Sequence, residues 1–404
     1  MTVPGRISVA EAEALIRSNL PRWPAERVPL ALAPGRILRE SIRAERDQPP
    51  FDRVTMDGIA IRHADWLAGT RRFRVTGTQG AGSSQLALAQ AGDCIAVMTG
   101  SALPAGADCI VPVERLVRSE AEAQLEDGYV ASAGSSIHRR ASDHPQGAVL
   151  LEPGTVLGPA EVAILTLGGN ADVAVSRPPR IAIASTGDEL VPAGAPIGDF
   201  EIRASNDRAI EAALRRRGHG VHSCVLLRDD PALLAREIGR QLASSDVLIL
   251  SGGVSMGEFD HVPATLAALG VEAVFHKVTQ RPGLPLWFGR TRDEKLVFAL
   301  PGNPVSSLVC TARYVLPALD IALGAAAEVP RYAVLASAVE FRPDLTYFLP
   351  VTLASEASGT VRAVPQPTNT SGDFVALRGT DGVVELPRGQ DLFPAGFSAR
   401  FHSW

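Results

Sequence analysis

The 404-residue chain is expected to fold as a multidomain α/β plus β protein: a doubly wound parallel-sheet domain, a β-rich second domain and a small C-terminal β-barrel. Three observations carry this expectation. From 179 to 326, short wholly apolar runs alternate with amphipathic helical patterns, as in a parallel sheet covered on both faces. From 72 to 129, and again from 332 to 404, short β-patterned runs are separated by Gly, Pro and Asp. The length exceeds what a single core serves, so several domains are expected.

Composition narrows the function classes. A hydrophobic fraction of 46% fits a globular protein, and a net charge of −5 provides no basic surface for nucleic acid. No apolar run approaches the ~20 residues that span a bilayer, so no membrane partner is expected. The amino terminus M-T-V-P-G-R-I-S lacks an apolar signal core, and the cytoplasm is the expected compartment. Cys94, Cys109, Cys224 and Cys310 lie far apart in apolar contexts and read as reduced core thiols.

Residues 8–19 form a short helix: Ser8 caps it, Glu11 stands at its third position, and Leu15 and Ile16 give it an apolar face. A Pro-rich link at 21–34 and a helix or strand at 35–43 lead to the irregular segment D-Q-P-P-F-D-R-V-T-M-D-G-I-A-I-R, which holds Asp52 and Asp57. Spacing alone favours an Asp-Gly turn between strands there. Thr99 ends a β run, either as a plain turn residue or as a hydroxyl at a sheet rim. In G-S-S-I-H-R-R-A-S-D-H, Arg139, Arg140 and Asp143 read first as a solvated charged loop. Residues 147–169 read as a strand, a Pro-Gly turn and a helix starting near Pro159.

Beyond the R-P-P-R boundary at 177–180, strands are expected at 181–184, 221–226, 247–250, 271–278 and 296–300, and helices at 205–217, 231–243, 261–269 and 304–323. Ligands of such sheets sit beyond the carboxyl ends of the strands. Four loops belong there: S-T-G-D-E-L with Ser185, Thr186, Gly187 and Glu189; the acidic pair Asp229 and Asp230; S-G-G-V-S-M-G-E-F-D with Ser251, Gly252, Gly253, Ser255 and Asp260; and P-G-N-P-V-S-S with Pro301, Gly302, Asn303, Pro304 and Ser306. Glycines in such loops let backbone N–H groups approach an anion, and a following helix adds its positive end. Each loop also has a plain reading, since Asp230, Asp260 and Asn303 stand where helix caps stand. Together, however, acids beside anion-cradling loops point to a divalent cation, with hard oxygen ligands favouring Mg²⁺ held by Glu189, Asp229, Asp230 and Asp260. Lys277 and Arg281, four apart on what reads as one strand, share a face by period 2 and suit an oxyanion or a salt-bridged edge. His261 and His276 read as structural. Residues 332–404 suffice for a small barrel or sandwich, without a charge constellation that demands function.

The motifs M-D-G-I-A-I-R, M-T-G-S-A-L-P-A-G-A-D, I-A-S-T-G-D-E-L-V, S-N-D-R, L-I-L-S-G-G-V-S-M-G-E-F-D, R-P-G-L-P-L-W-F-G and A-L-P-G-N-P-V-S-S, in order along nearly the whole chain, resemble the molybdopterin molybdenumtransferase (MoeA) family and the enzyme domain of gephyrin. The resemblance implies the last step of molybdenum cofactor synthesis: molybdate enters adenylylated molybdopterin with Mg²⁺ present, and AMP leaves. It implies an elongated homodimer of four domains, assigned here to 1–50 with 145–178, to 51–144, to 179–326 as the molybdopterin-binding domain, and to 327–404. By motif, Asp57, Thr99 and Asp143 fall on the second-domain side of the cleft, with Asp57 counted among the catalytic residues. Glu189, Asp229 or Asp230, Asp260, Lys277 and Arg281 fall on the α/β side. The implied partners are a molybdopterin adenylyltransferase upstream and molybdoenzymes or their chaperones downstream.

This chain departs from the family pattern at several places. Val54, Thr55 and Ile59 stand where S-A-M-D-G-Y-A has serine, alanine and tyrosine. Leu284 replaces the second lysine of K-P-G-K-P, and Ala376 a common serine. Loss of that lysine leaves two readings open, a transferase or a non-catalytic carrier of the cofactor. A scaffold in the manner of gephyrin's receptor clustering is the third.

Overall fold

The computed structural model describes residues 5–254 and 261–404. Its largest unit is built on a six-stranded sheet in the order Val221–Leu227, Ile181–Thr186, Val247–Ser251, Leu296–Leu300, Trp287–Arg290, Glu272–His276. The five strands expected from sequence point the same way. The sixth, Trp287–Arg290, is inserted antiparallel between two of them. Its only apolar pair is Trp287 and Phe288, too short a run to announce a strand, and it reaches its neighbour through the tight turn in which Thr291 N donates to Lys295 O at 3.0 Å. A reversal this short needs no helical crossover.

Side chains alternate between the two faces of this sheet. Ile181, Ile183, Val247, Ile249, Leu296 and Phe298 join one core cluster, and Ala182, Ala184, Leu248, Leu250, Val297 and Ala299 the other. Helix Asn206–Arg216 and the long helix from Pro304 cover the first face; Pro231–Ser244 and Val262–Ala268 cover the second. The long helix runs as Pro304–Cys310, a π-turn at Thr311–Val315, and Leu316–Ala322. Its 19 residues are apolar enough to cross a bilayer, but 83% of the most apolar window is buried against protein, which marks a core helix.

Strand Glu272–His276 stops earlier than expected because Lys277 adopts a left-handed backbone, φ 75°. Gln280–Arg281 is a separate short strand, paired with Thr346–Tyr347 of the C-terminal unit. Lys277 and Arg281 therefore do not share one face of one strand, and the period-2 argument for them fails.

The first fifty residues divide between two cores. Helix Val9–Ser18, with the full Ser8–Glu11 capping box, buries Val9, Ala12 and Ile16 in the α/β core. Residues beyond it build a separate core: Ala25–Pro29 pairs with Asp172–Ser176, Ile42–Arg43 with Val149–Leu151, and helix Pro159–Leu167 packs beside them. The second unit carries a six-stranded sheet in the order Cys109–Pro112, Gly58–Ile61, Asp93–Val97, Arg72–Gln79, Glu122–Leu125, Leu116–Arg118. In the C-terminal unit, Thr346–Ser355, Val361–Pro365, Arg331–Leu335, Ser398–Ser403 and Gly382–Leu386 close into a five-stranded barrel, because the last pairs back with the first.

Candidate functional site

Parallel register brings the expected loops together. Ser185 stands beside Ser251, Ser251 beside Leu300, and Thr186 beside Leu227, so four strands end at one level. The turns that follow are hydrogen-bonded to the neighbouring strand: Gly187 N donates to Leu227 O and Gly252 N to Leu300 O, each at 3.1 Å. Asn206, first residue of its helix, donates from Nδ2 to Ser251 Oγ at 2.9 Å and to Gly302 O at 2.7 Å. One amide thus joins the serine–glycine and proline–glycine loops.

The glycines differ in why they are needed. A Cβ on Gly252, φ 98°, would lie 2.5 Å from Thr186 O; one on Gly302 would meet nothing closer than Gly252 Cα at 3.5 Å. Gly252 is fixed by loop packing, whereas the freedom at Gly302 leaves its surface open.

Within this junction, Ser185 Oγ, Thr186 Oγ1 and Asn206 Oδ1 are buried and make no hydrogen bond among the described residues. Leaving such groups unmet costs about 1–3 kcal/mol each, so this cluster stands ready for a hydrogen-bonding partner. Two hydroxyl donors and a glycine-rich backbone suit phosphate oxygens.

The acids stand at the rim. Glu189 is exposed, with its carboxylate folded over the space a Gly187 side chain would need. Asp229 N donates to Asp188 Oδ1 at 3.2 Å, which sets the two acidic loops side by side. Asp230 caps helix Pro231–Ser244 through Oδ1, 2.7 Å from Leu233 N, so its cap reading holds. Asp260 and Ser255 lie outside the described residues. No group of three or more potential ligands is preassembled among the described residues. Mg²⁺ takes one or two carboxylates and completes its shell with phosphate and water, and exposed Glu189 with Asp188 supplies two carboxylates of that chemistry at this rim.

Arg281 is exposed beside the barrel, where it lines a cleft of about 250 Å³ with Arg342, Tyr347 and Ser371. The far wall is tied to the central loops, since Asn303 Nδ2 donates to Ser371 Oγ at 2.8 Å and Val305 N to Ser371 O at 3.1 Å. Behind Arg281, buried Gln280 accepts a hydrogen bond from the Tyr314 hydroxyl of the π-turn, and its Nε2 donates to Pro282 O at 3.1 Å. Leu284 is half-buried, its carbonyl accepting from Val278 N at 2.9 Å.

A second group forms in the β-rich unit. Antiparallel pairing of Gly58 with Val97 sets Asp57 beside Thr99. Thr99 N and Oγ1 both donate to Asp57 Oδ1 at 2.7 Å and hold its carboxyl below the usual range. Gly58 is not the turn glycine expected: it starts a strand, and a Cβ there would lie 1.9 Å from Val111 O. Asp143 Oδ1 accepts a hydrogen bond from His138 Nε2 at 2.8 Å; Arg139 and Arg140 are bound to Asp52 and Asp47 at 2.6 Å rather than free in solvent. Strand Arg53–Val54 pairs with Ile137–His138, so the Asp57 and Asp143 segments belong to one end of this unit. Every hydrogen-bond partner described for Asp57, Thr99 and Asp143 lies within 48–143, and none reaches the α/β loops.

The sequence departures fall mainly in packing: Val54 and Ile59 are fully buried, and Ala376 sits in the 3-10 turn Phe374–Leu377. Asn206, Gln280, Tyr314, Arg342 and Ser371 were not singled out from sequence. Only Asn206 had a signal, the polar S-N-D-R run opening a helix directly after a strand-end segment.

Comparison with known proteins agrees with this layout. Three family descriptions match in succession: MoeA N-terminal region (domain I and II) over 7–169, probable molybdopterin binding domain over 182–321, and MoeA C-terminal region (domain IV) over 332–404. A molybdopterin molybdenumtransferase from Synechocystis sp. is 38% identical over 98% of this chain and 100% of its own length. One from Staphylococcus aureus is 32% identical over 96% and 94%. A solved structure of the molybdopterin biosynthesis MoeA protein from Pyrococcus horikoshii OT3 superposes with a TM-score of 0.83 at 25% identity, over 99% of this chain and 100% of that one. The chain belongs to the MoeA family of molybdopterin molybdenumtransferases.

Proposed function

We propose, from that membership, that this transferase performs the metal-insertion step of molybdenum cofactor biosynthesis, in which molybdate enters adenylylated molybdopterin and AMP is released. The observation that carries the reading is the junction at the strand ends, where Asn206 joins two glycine loops and the hydroxyls of Ser185 and Thr186 lie buried without partners among the described residues. Those hydroxyls and the Gly252 and Gly302 turns hold the phosphate of the adenylyl group. Lys277 and Arg281 hold the oxyanion, and the Ser371 wall confines it. Asp57, kept ionised by Thr99, lies in a unit whose described contacts do not reach this cleft, so a second copy of the chain is the natural source of that face; this favours a homodimer. Mg²⁺, held by Glu189 with Asp188 or Asp229 and by Asp260, supplies charge stabilisation for the departing phosphate when bound. The reading places the chain in the cytoplasm between a molybdopterin adenylyltransferase and recipient molybdoenzymes or their chaperones.

Leu284, which removes a cation from the R-P-G-L-P loop, favours a second reading, a carrier that binds a molybdopterin species without turnover. AMP release by the purified protein given adenylylated molybdopterin, Mg²⁺ and molybdate, with each omitted in turn, separates the two. Release that needs both metal species establishes the transferase step. Retained ligand without release establishes the carrier. In the transferase case Glu189→Ala and Asp57→Ala abolish release while leaving the fold intact, and unchanged rates in both variants overturn the site.

A further inference from the structure

A cavity of about 840 Å³ lies at the opposite end of the central sheet from the strand-end loops. Arg180 and Val221 on its wall stand where Ile181–Thr186 and Val221–Leu227 begin, whereas the candidate site is built where those strands finish. Four parts of the fold converge on it: the helix Val9–Ser18, the long core helix, the linking segment around Arg36, and the last barrel strand Ser398–Ser403. Its size is that of pockets that enclose drug-sized or nucleotide-sized molecules.

Its charge is opposite to that of the chain. Among the described residues, six arginines line the cavity against three carboxylates, in a protein whose net charge is −5. Several of these cations are only loosely engaged. The Arg217 guanidinium stands 3.6 Å from Asp320 and 3.4 Å from Ser403 Oγ, and Arg400 stands 3.7 Å from Glu13. Charge-assisted hydrogen bonds close to roughly 2.7–2.9 Å, so both retain donors for a better acceptor. His219, also on the wall, is 5% exposed; its Nε2 is buried 3.4 Å from Asp320 Oδ1 and makes no hydrogen bond among the described residues. Beside these groups Ile321, Leu323 and the Phe401 ring provide apolar surface, with the Arg331 guanidinium 5.4 Å from the ring centroid.

We propose that this cavity is a second ligand site, separate from the strand-end cleft, and that it takes an organic anion of nucleotide size. Arg217, Arg400 and His219 hold its phosphate, sulfonate or carboxylate head, and Phe401 with the aliphatic side chains takes its apolar body. Uncharged analogues are excluded because burying three cationic or donor groups without an acceptor is costly.

The test is titration calorimetry on the full-length protein with 8-anilinonaphthalene-1-sulfonate as probe, inorganic phosphate as the head alone, and AMP as competitor. The expected result is saturable binding of one probe per chain, displacement by AMP, and binding of phosphate at least about a hundredfold weaker, as befits a site that uses both head and body. Arg400→Gln and Arg217→Gln each weaken the probe about tenfold, the loss expected for one hydrogen bond to a charged group. Thr186→Val, which removes a hydroxyl of the strand-end cleft, leaves the probe's affinity unchanged, which locates the binding away from that cleft. Melting temperatures measured alongside report whether the arginine variants fold, and Arg331→Met provides a third variant that disturbs no ion pair described here. Absence of saturable binding overturns the proposal. So does unchanged affinity in the folded arginine variants, or loss of binding in Thr186→Val.

Discussion

Asn206 donates from Nδ2 to Ser251 Oγ at 2.9 Å, and the same amide nitrogen lies 2.7 Å from the Gly302 carbonyl. A residue at the start of one helix thereby fixes the spacing of two loops that begin some fifty and hundred positions later. Asn206→Ala releases both loops and leaves the Gly302 carbonyl unmet. It is expected to reduce kcat/KM for AMP release by about tenfold or more and stability by about 1–2 kcal/mol, read from steady-state kinetics and urea denaturation. A full-rate Asn206→Ala enzyme refutes the role.

The two loop glycines predict opposite outcomes. Gly252→Ala places a methyl 2.5 Å from Thr186 O at a left-handed φ, so it is expected to cost about 2–4 kcal/mol and to abolish turnover. Gly302→Ala meets only an ordinary contact at 3.5 Å and is expected to fold with a melting temperature near that of the parent. Equal destabilisation of the two variants contradicts the loop geometry.

Thr99 acts on Asp57 through charge. Its N–H and hydroxyl depress the Asp57 pKa, so this carboxylate favours the folded state above the ordinary value of 3.8 and that contribution fades as pH falls through the lower folded pKa. Thr99→Val removes the hydroxyl donor and retains the backbone one. The Asp57 pKa, followed by carboxyl-carbon NMR, is expected to rise toward 3.8 without reaching it. No movement on substitution excludes the hydroxyl bond and leaves the backbone N–H as the cause.

Tyr314 reaches the Arg281 side of the cleft indirectly, through Gln280, the residue before Arg281. π-turns often mark functional sites, and this one directs Tyr314 at Gln280 and Arg313 into the neighbouring ion network. Tyr314→Phe is expected to raise KM for molybdate several-fold with a smaller change in kcat, because it loosens a positioning contact and removes no reacting group. An equal fall in kcat for all substrates points to general destabilisation instead.

Arg313, 4% exposed in its side chain, bonds Glu13 at 2.7 Å and Glu385 at 3.0 Å; Glu385 in turn pairs with His402, and Arg400 stands 3.7 Å from Glu13. This network joins the amino-terminal helix, the π-turn and the barrel. Arg313→Met strands two carboxylates and is expected to cost about 3 kcal/mol. Burial, opposed by the Glu385 bond, holds the His402 pKa below its ordinary 6.5. The unfolded chain then takes up a proton the folded chain does not, so stability is complete above pH 6.5 and declines as pH falls through it toward the folded pKa. His402→Phe is expected to flatten that decline in urea denaturation measured across pH, and an unaltered slope assigns it elsewhere.

What could be read in the residues depended on how local the cause was. The Ser8–Glu11 capping box and the alternation of Ile181, Ile183 with Ala182, Ala184 follow from neighbours in the chain, and both were legible. Strand Trp287–Arg290 was not, because its apolar pair is too short to show a period and its place is set by pairing with Leu296–Leu300. The left-handed turn at Lys277 was hidden for a similar reason: nothing in the lysine itself favours that conformation, and its neighbours impose it.

By itself, the sequence determined the α/β alternation, the strand-end loops and the ordered motifs that identify the family, since each is a pattern of consecutive residues. Only the tertiary structure decided that Asn206 couples Ser251 to Gly302, that Ser371 of the barrel meets Asn303, and that Asp230 spends its carboxylate on a helix cap. Those contacts join residues up to a hundred positions apart or choose between two local uses of one side chain. Packing, which depends on the whole chain at once, makes that choice.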